Sequence, residues 1–214
     1  MEAWYRDMPS CKDTLKQLRE WLVQGRVDAE TLVDFPWEVL EEEEQALKVI
    51  HPKFPVGILI VCDDEIGVVR LLVNTDISTI SLDNDARLRL YHKLLKMNAT
   101  PLTKFILYGD DDVVNIAVDL STKTLGKQEF NDALALLIAS LNALVKELGI
   151  EEEFSYRMLT EILRLVKKHL DEGWGRDKLV EYLVKRAGMK REEAEEIVKS
   201  LLSESRGGVP PIFT

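Results

Sequence analysis

The chain has 214 residues, of which 46% are hydrophobic and 31% are charged, with a formal net charge of −10. This is a globular composition with a strongly ionic surface, a mixture that resembles thermophile proteins. The acidic excess disfavours broad binding to nucleic acid or to membrane surfaces, because phosphate attraction requires clustered Lys and Arg.

The charge is distributed unevenly, which predicts two modules. Residues 151–214 carry 12 basic and 13 acidic side chains, whereas residues 1–150 carry 16 and 25. We predict an α+β domain over 1–150, a helical domain of three helices over 151–206 and a flexible tail over 207–214.

The two cysteines, Cys11 and Cys62, are far apart and neither belongs to a CxxC pair. This spacing supports neither a disulfide framework nor a thiolate zinc site, and Cys62 is interpreted as a small core residue. The chain has no charged-then-apolar leader at Met1, and no apolar run reaches the ~18 residues of a membrane span. We therefore predict a cytoplasmic protein with reduced thiols and no membrane segment.

The first predicted elements are helical. Ser10 is a good N-cap for the amphipathic stretch "CKDTLKQLREWLV". Pro36 interrupts the next stretch, which predicts a short helical turn before it and a helix after it, through "EVLEEEEQALKVI". The run Glu41–Glu44 is interpreted as a solvated face of that helix rather than as a binding tail.

From Pro55 the sequence changes to β-branched runs. "VGILIVCDDEIGVVRLLVN" has an apolar run on each side of an acidic turn, which predicts a hairpin, and "ISTIS" is a candidate for a further strand. Asp83 is positioned to cap a helix whose predicted core face is Leu90, Leu94 and Met97, with Tyr91 and Leu95 beside it. "TKFILYGDDDVVNIAVDLST" repeats the hairpin pattern, and another helix follows. The repeated ββα pattern predicts one antiparallel sheet with helices packed against it.

The helix predicted over 127–148 is apolar on several sides, which indicates burial on several sides. One side is expected to cover the sheet and the other to meet the C-terminal helices or a second subunit. Its leading stripe is the candidate interaction surface: Phe130, Leu134, Leu137, Leu141, Leu144 and Leu148.

The tetrapeptide Tyr108–Asp111 reads Tyr-Gly-Asp-Asp, which also occurs on the catalytic hairpin of RNA-dependent polymerases. A two-metal site requires a further carboxylate on a neighbouring strand and a basic groove for nucleic acid, and residues 1–150 are acidic. We interpret the segment as a hairpin turn in which Gly109 allows a positive φ and aspartates bond their own backbone. A metal-dependent hydrolase using Asp110–Asp112 is the remaining alternative.

No other catalytic pattern stands out. His51, His92 and His169 lie in different predicted elements, and no nucleotide-binding or nucleophile-elbow motif occurs. The sequence therefore predicts no enzyme, no catalytic residue, no metal site and no cofactor.

The last two predicted helices, over 176–204, have the order of a helix-turn-helix, with Gly188 at the turn. The would-be recognition helix "KREEAEEIVKSLL" begins with four glutamates, which would repel phosphate groups. A packing or partner-binding hairpin is favoured, and a nucleic-acid-associated regulator is the alternative.

A family resemblance is carried by "LLKMNATPLTKFILYGDDDVVNIAVDL" and the helix after it. The stretch resembles the YbjN-like domains and the wider type III secretion chaperone-like fold, over about residues 56–149. The matching positions are Leu94, Leu95, Asn98, Lys104, Phe105 and Leu107. The resemblance implies a twisted antiparallel sheet with packed helices, frequent dimerisation, and binding of protein segments rather than catalysis.

These observations together predict a non-enzymatic, chaperone-like interaction protein. Its partner is expected to be another protein or a second copy of the chain, as a homo-oligomer.

Overall fold

The computed structural model describes residues 9–204 of the chain. Its elements in chain order are α1 (Cys11–Val23), a 3₁₀ turn (Leu32–Asp34), β1 (Glu38–Glu42), β2 (Ala46–His51), β3 (Phe54–Asp63), β4 (Val68–Ser78), α2 (Asn84–Met97), β5 (Thr103–Tyr108), β6 (Val113–Ser121), α3 (Lys127–Leu148), α4 (Glu151–Asp171), α5 (Arg176–Tyr182), a π-helical turn (Leu183–Ala187) and α6 (Arg191–Glu204). The predicted tail over 207–214 lies outside the described residues.

The chain divides into two compact units. Within the described residues, the sheet unit holds residues 9–50 and Gly57–Ile150, and the helical unit holds His51–Val56 and residues 151–204. The segment His51–Val56 thus differs from the division predicted from the sequence, which placed it in the first domain.

One six-stranded sheet organises the sheet unit, in the order β1-β2-β3-β4-β6-β5. The pairs β3–β4, β4–β6 and β5–β6 are antiparallel, with Leu71 opposite Val118 at the centre. The predicted α+β class with an antiparallel sheet and packed helices is confirmed. Strand β5 precedes β6 in the chain but lies outside it, so β5 forms one edge of the sheet and β1 the other.

Both predicted ββα patterns are present. The hairpin β3–β4 turns at Gly67, where φ is +63°, and the Asp83 side chain accepts a hydrogen bond from the Ala86 N–H at the start of α2. The "ISTIS" segment is not a separate strand: Ile77 and Ser78 end β4, and the chain then turns toward α2.

The predicted helix after Pro36 is wrong, because this segment is the hairpin β1–β2. Glu41 pairs with Lys48 in its register, and Glu43 and Glu44 lie in the exposed turn rather than on a helix face. In β2 the side chains of Leu47, Val49 and Ile50 are buried. Glu and Leu are good helix formers, but intrinsic propensity is a small free-energy difference, and burial of Val49 and Ile50 in the sheet outweighs it.

The prediction of reduced, unpaired cysteines is also wrong. Cys11 and Cys62 form a disulfide, with their Cα atoms 5.4 Å apart and both residues 1% exposed. The start of α1 lies against the end of β3, where the Cys11 N–H also donates to the Asp64 carboxylate at 2.7 Å. A disulfide requires this spatial proximity and not a short sequence spacing, so the absence of a CxxC pair excluded nothing.

The helical unit has a hydrophobic core of its own. Its buried residues come from three helices and the π-helical turn: Ile162, Val166, Leu179, Val180, Tyr182, Leu183, Ala194 and Val198. Near this core the His169 ring stacks on Trp174, with ring centroids 4.1 Å apart. Within residues 9–204, no helix is both long enough and apolar enough to cross a bilayer.

Candidate docking groove

The stripe predicted as an interaction surface is covered by the chain itself. Phe130, Leu134, Leu137, Leu141 and Leu144 are buried and Leu148 is half-buried. Helix α3 packs against strands β4, β5 and β6. The Phe130 ring also contacts Trp21 of α1, with the ring centroids 6.2 Å apart. A partner would reach these side chains only if the core opened, so we place the candidate docking surface elsewhere.

A groove of about 240 Å³ lies between α2 and the edge strand β5. Its lining is almost wholly apolar and consists of Tyr91, Leu94, Leu95 and Asn98 from α2 and Phe105, Ile106 and Leu107 from β5. Five of the six positions that carry the predicted family resemblance line this groove: Leu94, Leu95, Asn98, Phe105 and Leu107. These positions therefore belong to a surface feature as well as to the packed fold.

Helix α2 carries two apolar stripes on different sides of its cylinder. Leu90 and Leu94 are buried, which confirms two of the three predicted core positions, and Met97 is half-buried. Leu88 and Leu95, seven residues and thus two turns apart, are 65% and 70% exposed. Tyr91 lies between them on the helix surface, so the second stripe borders the groove and faces solvent.

The groove is closed at one end by a side chain that acts as a partner for the edge strand. The Phe105 N–H donates to Asn98 Oδ1 at 2.6 Å, and the Asn98 amide donates to the Phe105 carbonyl at 3.3 Å. These two bonds satisfy the outward-facing backbone groups of Phe105, which would otherwise be open on a sheet edge. Asn98 thereby fixes the distance between the end of α2 and the middle of β5.

The opposite edge of the sheet is built differently. Strand β1 has five residues, a register shift between Val39 and Glu41, and two exposed glutamates at its end. Short length, irregular register and charge are the usual protections of an edge strand. The β5 edge instead has apolar Leu107 and Tyr108 exposed, which distinguishes it as the candidate for binding.

Basic side chains border the exposed stripe of α2. Arg89, His92 and Lys96 are exposed on the side of the helix away from the sheet. The Arg87 guanidinium donates hydrogen bonds to the carbonyls of Thr79, Ile80 and Leu82. Lys93 forms an ion pair with Glu147. In the part of the chain that the structure describes, neither Arg89 nor Lys96 forms an ion pair, so a basic flank accompanies the groove in an otherwise acidic chain.

The Tyr-Gly-Asp-Asp segment forms the turn that joins β5 to β6. Gly109 has a φ of +78°, and the Asp112 N–H donates to the Gly109 carbonyl at 3.2 Å. The turn is attached to the end of β4, where the Ser78 hydroxyl donates to the Asp111 carbonyl. The turn and the positive φ of Gly109 are confirmed, whereas the described part of the chain shows no hydrogen bond from the backbone to the carboxylates of Asp110–Asp112. Among residues 9–204 no group of three metal-ligating side chains is present.

The three histidines are not brought together into one site. His51 ends β2, His92 lies on the exposed flank of α2, and His169 is buried in α4 with its Nδ1 2.9 Å from Glu172 Oε2. A further cleft, between α1 and the β1–β2 hairpin, contains the side chains of Lys12, Lys16 and Glu42–Glu44 over Leu15 and Leu47. Its charges are of both signs, so it has no single electrostatic preference.

An ion-pair network crosses the three strands next to the groove. Asp119 of β6 accepts two hydrogen bonds from Arg70, at 2.6 and 2.8 Å, and one from Lys104 of β5 at 2.6 Å. The hydrogen bond from Arg70 is the largest influence and lowers the pKa of Asp119 to about 2. Lys104, the sixth position of the family resemblance, thus fixes β5 to β6 rather than lining the groove.

The last two helices have the predicted helix–turn–helix order. Gly188 has a φ of +74°, and the Met189 N–H donates to the Leu183 carbonyl, which ends the first helix. Helix α6 buries Ala194 and Val198 and has Glu192 and Glu193 in its first turn. Packing of α6 within the helical unit agrees with the favoured interpretation.

The fold and the groove together define an α+β protein with an antiparallel sheet, one apolar sheet edge and an additional helical unit. The chain belongs to the family described as "Domain of unknown function (DUF8183)", whose model matches residues 17–148. A second family model, HTH_78, is described as "Domain of unknown function" and matches residues 149–208.

No curated protein matches the chain. Among solved structures, the chain is similar to one from the "Crystal Structure of the ExsC-ExsE Complex", at 17% identity and a TM-score of 0.37. That match covers 60% of this chain and 90% of the other. A likeness at this score carries no conclusion about role, and the relationship to the YbjN-like family stays a prediction.

The sequence reasoning missed the groove as a site, although the signal was present. Leu88, Tyr91 and Leu95 are spaced at i, i+3 and i+7 and do not coincide with the core stripe of the same helix. A second apolar stripe on a helix whose core stripe is already complete is the pattern that could have identified it.

Proposed function

We propose that this chain is a non-enzymatic protein-interaction module that docks a partner protein in the groove between α2 and β5. The observation that carries this proposal is the exposed apolar surface around the groove, above all Leu95 at 70% exposure. Burial of a leucine side chain contributes roughly 1.5–3 kcal/mol, and exposed apolar surface next to a groove is typical of protein-binding sites.

The size of the groove supports a protein partner over a small molecule. Small-molecule sites usually measure about 300–1,000 Å³ and enclose most of the ligand. The groove measures about 240 Å³, and it is lined by one titratable residue, Tyr91. A cavity of this size accommodates one or two side chains of a larger partner.

The charged groups with displaced pKa values also support a binding role. Hydrogen bonding from Lys127 lowers the pKa of Asp34, and hydrogen bonding from Lys185 lowers that of Glu181. Active sites concentrate such displaced groups in a cleft. These groups belong to ion pairs instead, as Asp119 does with Arg70 and Lys104, and none of them lines the groove.

The proposal is tested with a photo-crosslinking amino acid placed at position 95 of the full-length chain. The cross-linked partner is identified by mass spectrometry and purified, and its affinity is then measured for the wild type and for Leu95→Asp. We expect Leu95→Asp to weaken binding by roughly tenfold or more, since a charge in an apolar contact both loses burial and costs desolvation.

Ile66→Asp is the matched control. Ile66 is 63% exposed in the β3–β4 turn and does not line the groove. The affinity of the Ile66→Asp variant for the partner should therefore stay near that of the wild type. Equal loss in both variants, or no loss in Leu95→Asp, would refute docking at the groove.

Contact with nucleic acid through the helical unit is a second candidate. The observation in its favour is the helix–turn–helix order, with Lys185, Arg186, Lys190 and Arg191 on either side of the Gly188 turn. The acidic first turn of α6 opposes it. If the helical unit contacts nucleic acid, the full-length chain should bind duplex DNA with an affinity that falls steeply as salt is added. The double variant Lys190→Glu/Arg191→Glu should abolish this binding.

A further inference from the structure

We infer that the occupant of the groove is an amphipathic helix of a partner protein, with apolar residues facing α2 and an acidic flank facing Arg89, His92 and Lys96. The inference rests on the proposed function and specifies the kind of partner that the groove fits. Three features carry it: the satisfied edge of β5, the spacing of the exposed stripe on α2, and the charge beside that stripe.

Addition of a partner strand to β5 is obstructed. A strand can pair only with the outward-facing N–H and C=O groups of an edge, which belong to alternate residues. At Phe105, in the middle of the six-residue strand, both groups are bonded to Asn98. An added strand would have to displace Asn98, or pair only with the two ends of β5, at Thr103 and Leu107.

The exposed stripe matches the geometry of a helix instead. Leu88, Tyr91 and Leu95 extend over two turns of α2, about 10 Å, because each residue of a helix rises 1.5 Å. A second helix that presents apolar residues at i, i+3 and i+7 offers contacts at the same intervals. The groove between Tyr91, Leu95 and Leu107 would receive one of these residues as the central anchor.

The charge beside the stripe selects the polar flank of the partner. Helix α2 has four Lys or Arg residues and one acidic residue, Asp85 in its first turn, although the whole chain has a net charge of −10. Opposite charges across an interface raise the association rate and exclude partners of the wrong sign. Asp110–Asp112, in the turn after β5, confine the acidic part of the partner to the α2 side.

The same charge disfavours a second copy of the chain as the occupant. In an antiparallel two-fold pairing of α2 with α2, Arg89 and Lys96 of one copy would lie beside the same basic flank of the other. Like charges opposed at an interface cost affinity, and no acidic residue of α2 beyond Asp85 is available to compensate.

The inference is tested with synthetic peptides and the full-length chain. The first peptide is a side-chain-stapled helix with leucines at i, i+3 and i+7 and glutamates on one flank. The second has lysines in place of those glutamates, and the third is an unstapled strand-forming peptide with alternating valine and glutamate. Binding is measured by fluorescence anisotropy at low and at physiological ionic strength.

We expect the acidic helix to bind roughly tenfold more tightly than the basic helix at low salt, with the difference reduced by added salt. The double variant Arg89→Glu/Lys96→Glu should reverse this order. Lys12→Glu/Lys16→Glu, on α1, is the matched control and should leave the order unchanged.

Several outcomes would overturn the inference. These are equal binding of the two helices, tighter binding of the strand-forming peptide, displacement of the acidic helix by an equimolar single-stranded oligonucleotide, and a homodimer that Leu95→Asp converts to monomer. If binding of the cross-linked partner still depends on Leu95 while the peptides show no charge preference, the inference of an acidic helix is wrong and the proposed docking site stands. If the partner does not depend on Leu95, both fail.

Discussion

Asp119 is the side chain whose charge contributes most clearly to the stability of the sheet. It is 20% exposed and lies between Arg70 and Lys104, and hydrogen bonding from Arg70 is the main reason that its pKa is lowered to about 2. A lowered pKa stabilises the folded state above the pKa of the unfolded chain, and this stabilisation is lost as pH falls through the folded value.

We therefore predict that Asp119→Asn lowers the free energy of unfolding at pH 7 by about 2 kcal/mol, because one pKa unit corresponds to ~1.4 kcal/mol. The difference between variant and wild type should diminish between about pH 4 and pH 2, where the wild-type carboxylate becomes protonated. Urea denaturation of both proteins at pH 7, 4 and 2.5 measures this difference in the free energy of unfolding. Asp111→Asn in the exposed turn is the control, and a constant difference across this range would contradict the assignment.

The disulfide between Cys11 and Cys62 gives a second prediction at the scale of residues. It joins α1 to β3 across a sequence separation of 51 residues. Crosslinks that close loops of this size contribute about 2–4 kcal/mol, chiefly by restricting the unfolded chain. Cys11→Ala/Cys62→Ala should be less stable by this amount in denaturant titrations.

Reductant provides the control for that measurement. The wild type in reductant should approach the stability of the double variant, and the variant itself should not respond. A wild type that is indifferent to reductant even when unfolded would show that the bond does not form. The predicted cytoplasmic location agrees with such a bond chiefly in organisms, such as hyperthermophiles, whose intracellular proteins retain disulfides.

These two residue-level features differ in how far the sequence predicts them. Two cysteines in a chain that is read as cytoplasmic give no local signal for pairing, because proximity arises only when α1 packs against the end of β3. The pairing of Asp119 with Arg70 likewise depends on the register of β4 and β6, in which the two residues are opposite each other. Long-range pairings of this kind are properties of the fold and not of sequence spacing.

At the scale of elements, the connection between α2 and β5 is the feature that shapes the candidate site. We predict that Asn98→Ala destabilises the chain by about 1–3 kcal/mol, because it leaves the N–H and C=O of Phe105 without a protein partner. The open edge should also increase self-association, which sedimentation velocity at several concentrations would detect.

Asn98→Asp tests the mechanism of that effect. Its carboxylate can still accept the Phe105 N–H but cannot donate to the carbonyl, so its stability should fall between those of the wild type and Asn98→Ala. If Asn98→Ala is as stable as the wild type and associates no more than the wild type, the bridge is not what protects this edge.

The elements themselves were predicted unequally from the sequence. Helix α3 was predicted with the observed bounds because Gly149 ends a continuous apolar pattern, and its φ of +68° confirms the stop. The β1–β2 hairpin was predicted as a helix because the Glu41–Glu44 run resembles a solvated helix face. Val49 and Ile50 were the contrary signal, but strand formation at this position depends on the neighbouring β3, which a local pattern does not show.

At the scale of the whole molecule, the two units have separate hydrophobic cores. Leu134 is buried in the sheet unit and Leu179 in the helical unit. Truncation of either side chain to alanine should lower the free energy of unfolding of its own unit by roughly 2–5 kcal/mol. Hydrogen exchange read by mass spectrometry should show lost protection mainly within the unit that carries the substitution.

Leu179→Ala and Leu134→Ala are controls for each other. Uniform loss of protection across both units in either variant would show that they unfold as one cooperative body. Independent opening would also mean that a defect in the helical unit leaves the groove between α2 and β5 able to bind.

The order of strands in the sheet has a consequence for synthesis on the ribosome. Strand β5 is made before β6, yet within residues 9–204 β6 is the only strand that pairs with it, and β6 lies between β5 and β4. For the time needed to translate the residues from Tyr108 to Ser121, the nascent β5 has no strand to pair with. Asn98 is only seven residues from Phe105, so the bridge between them can form at once and shield the emerging strand from other nascent chains until β6 arrives.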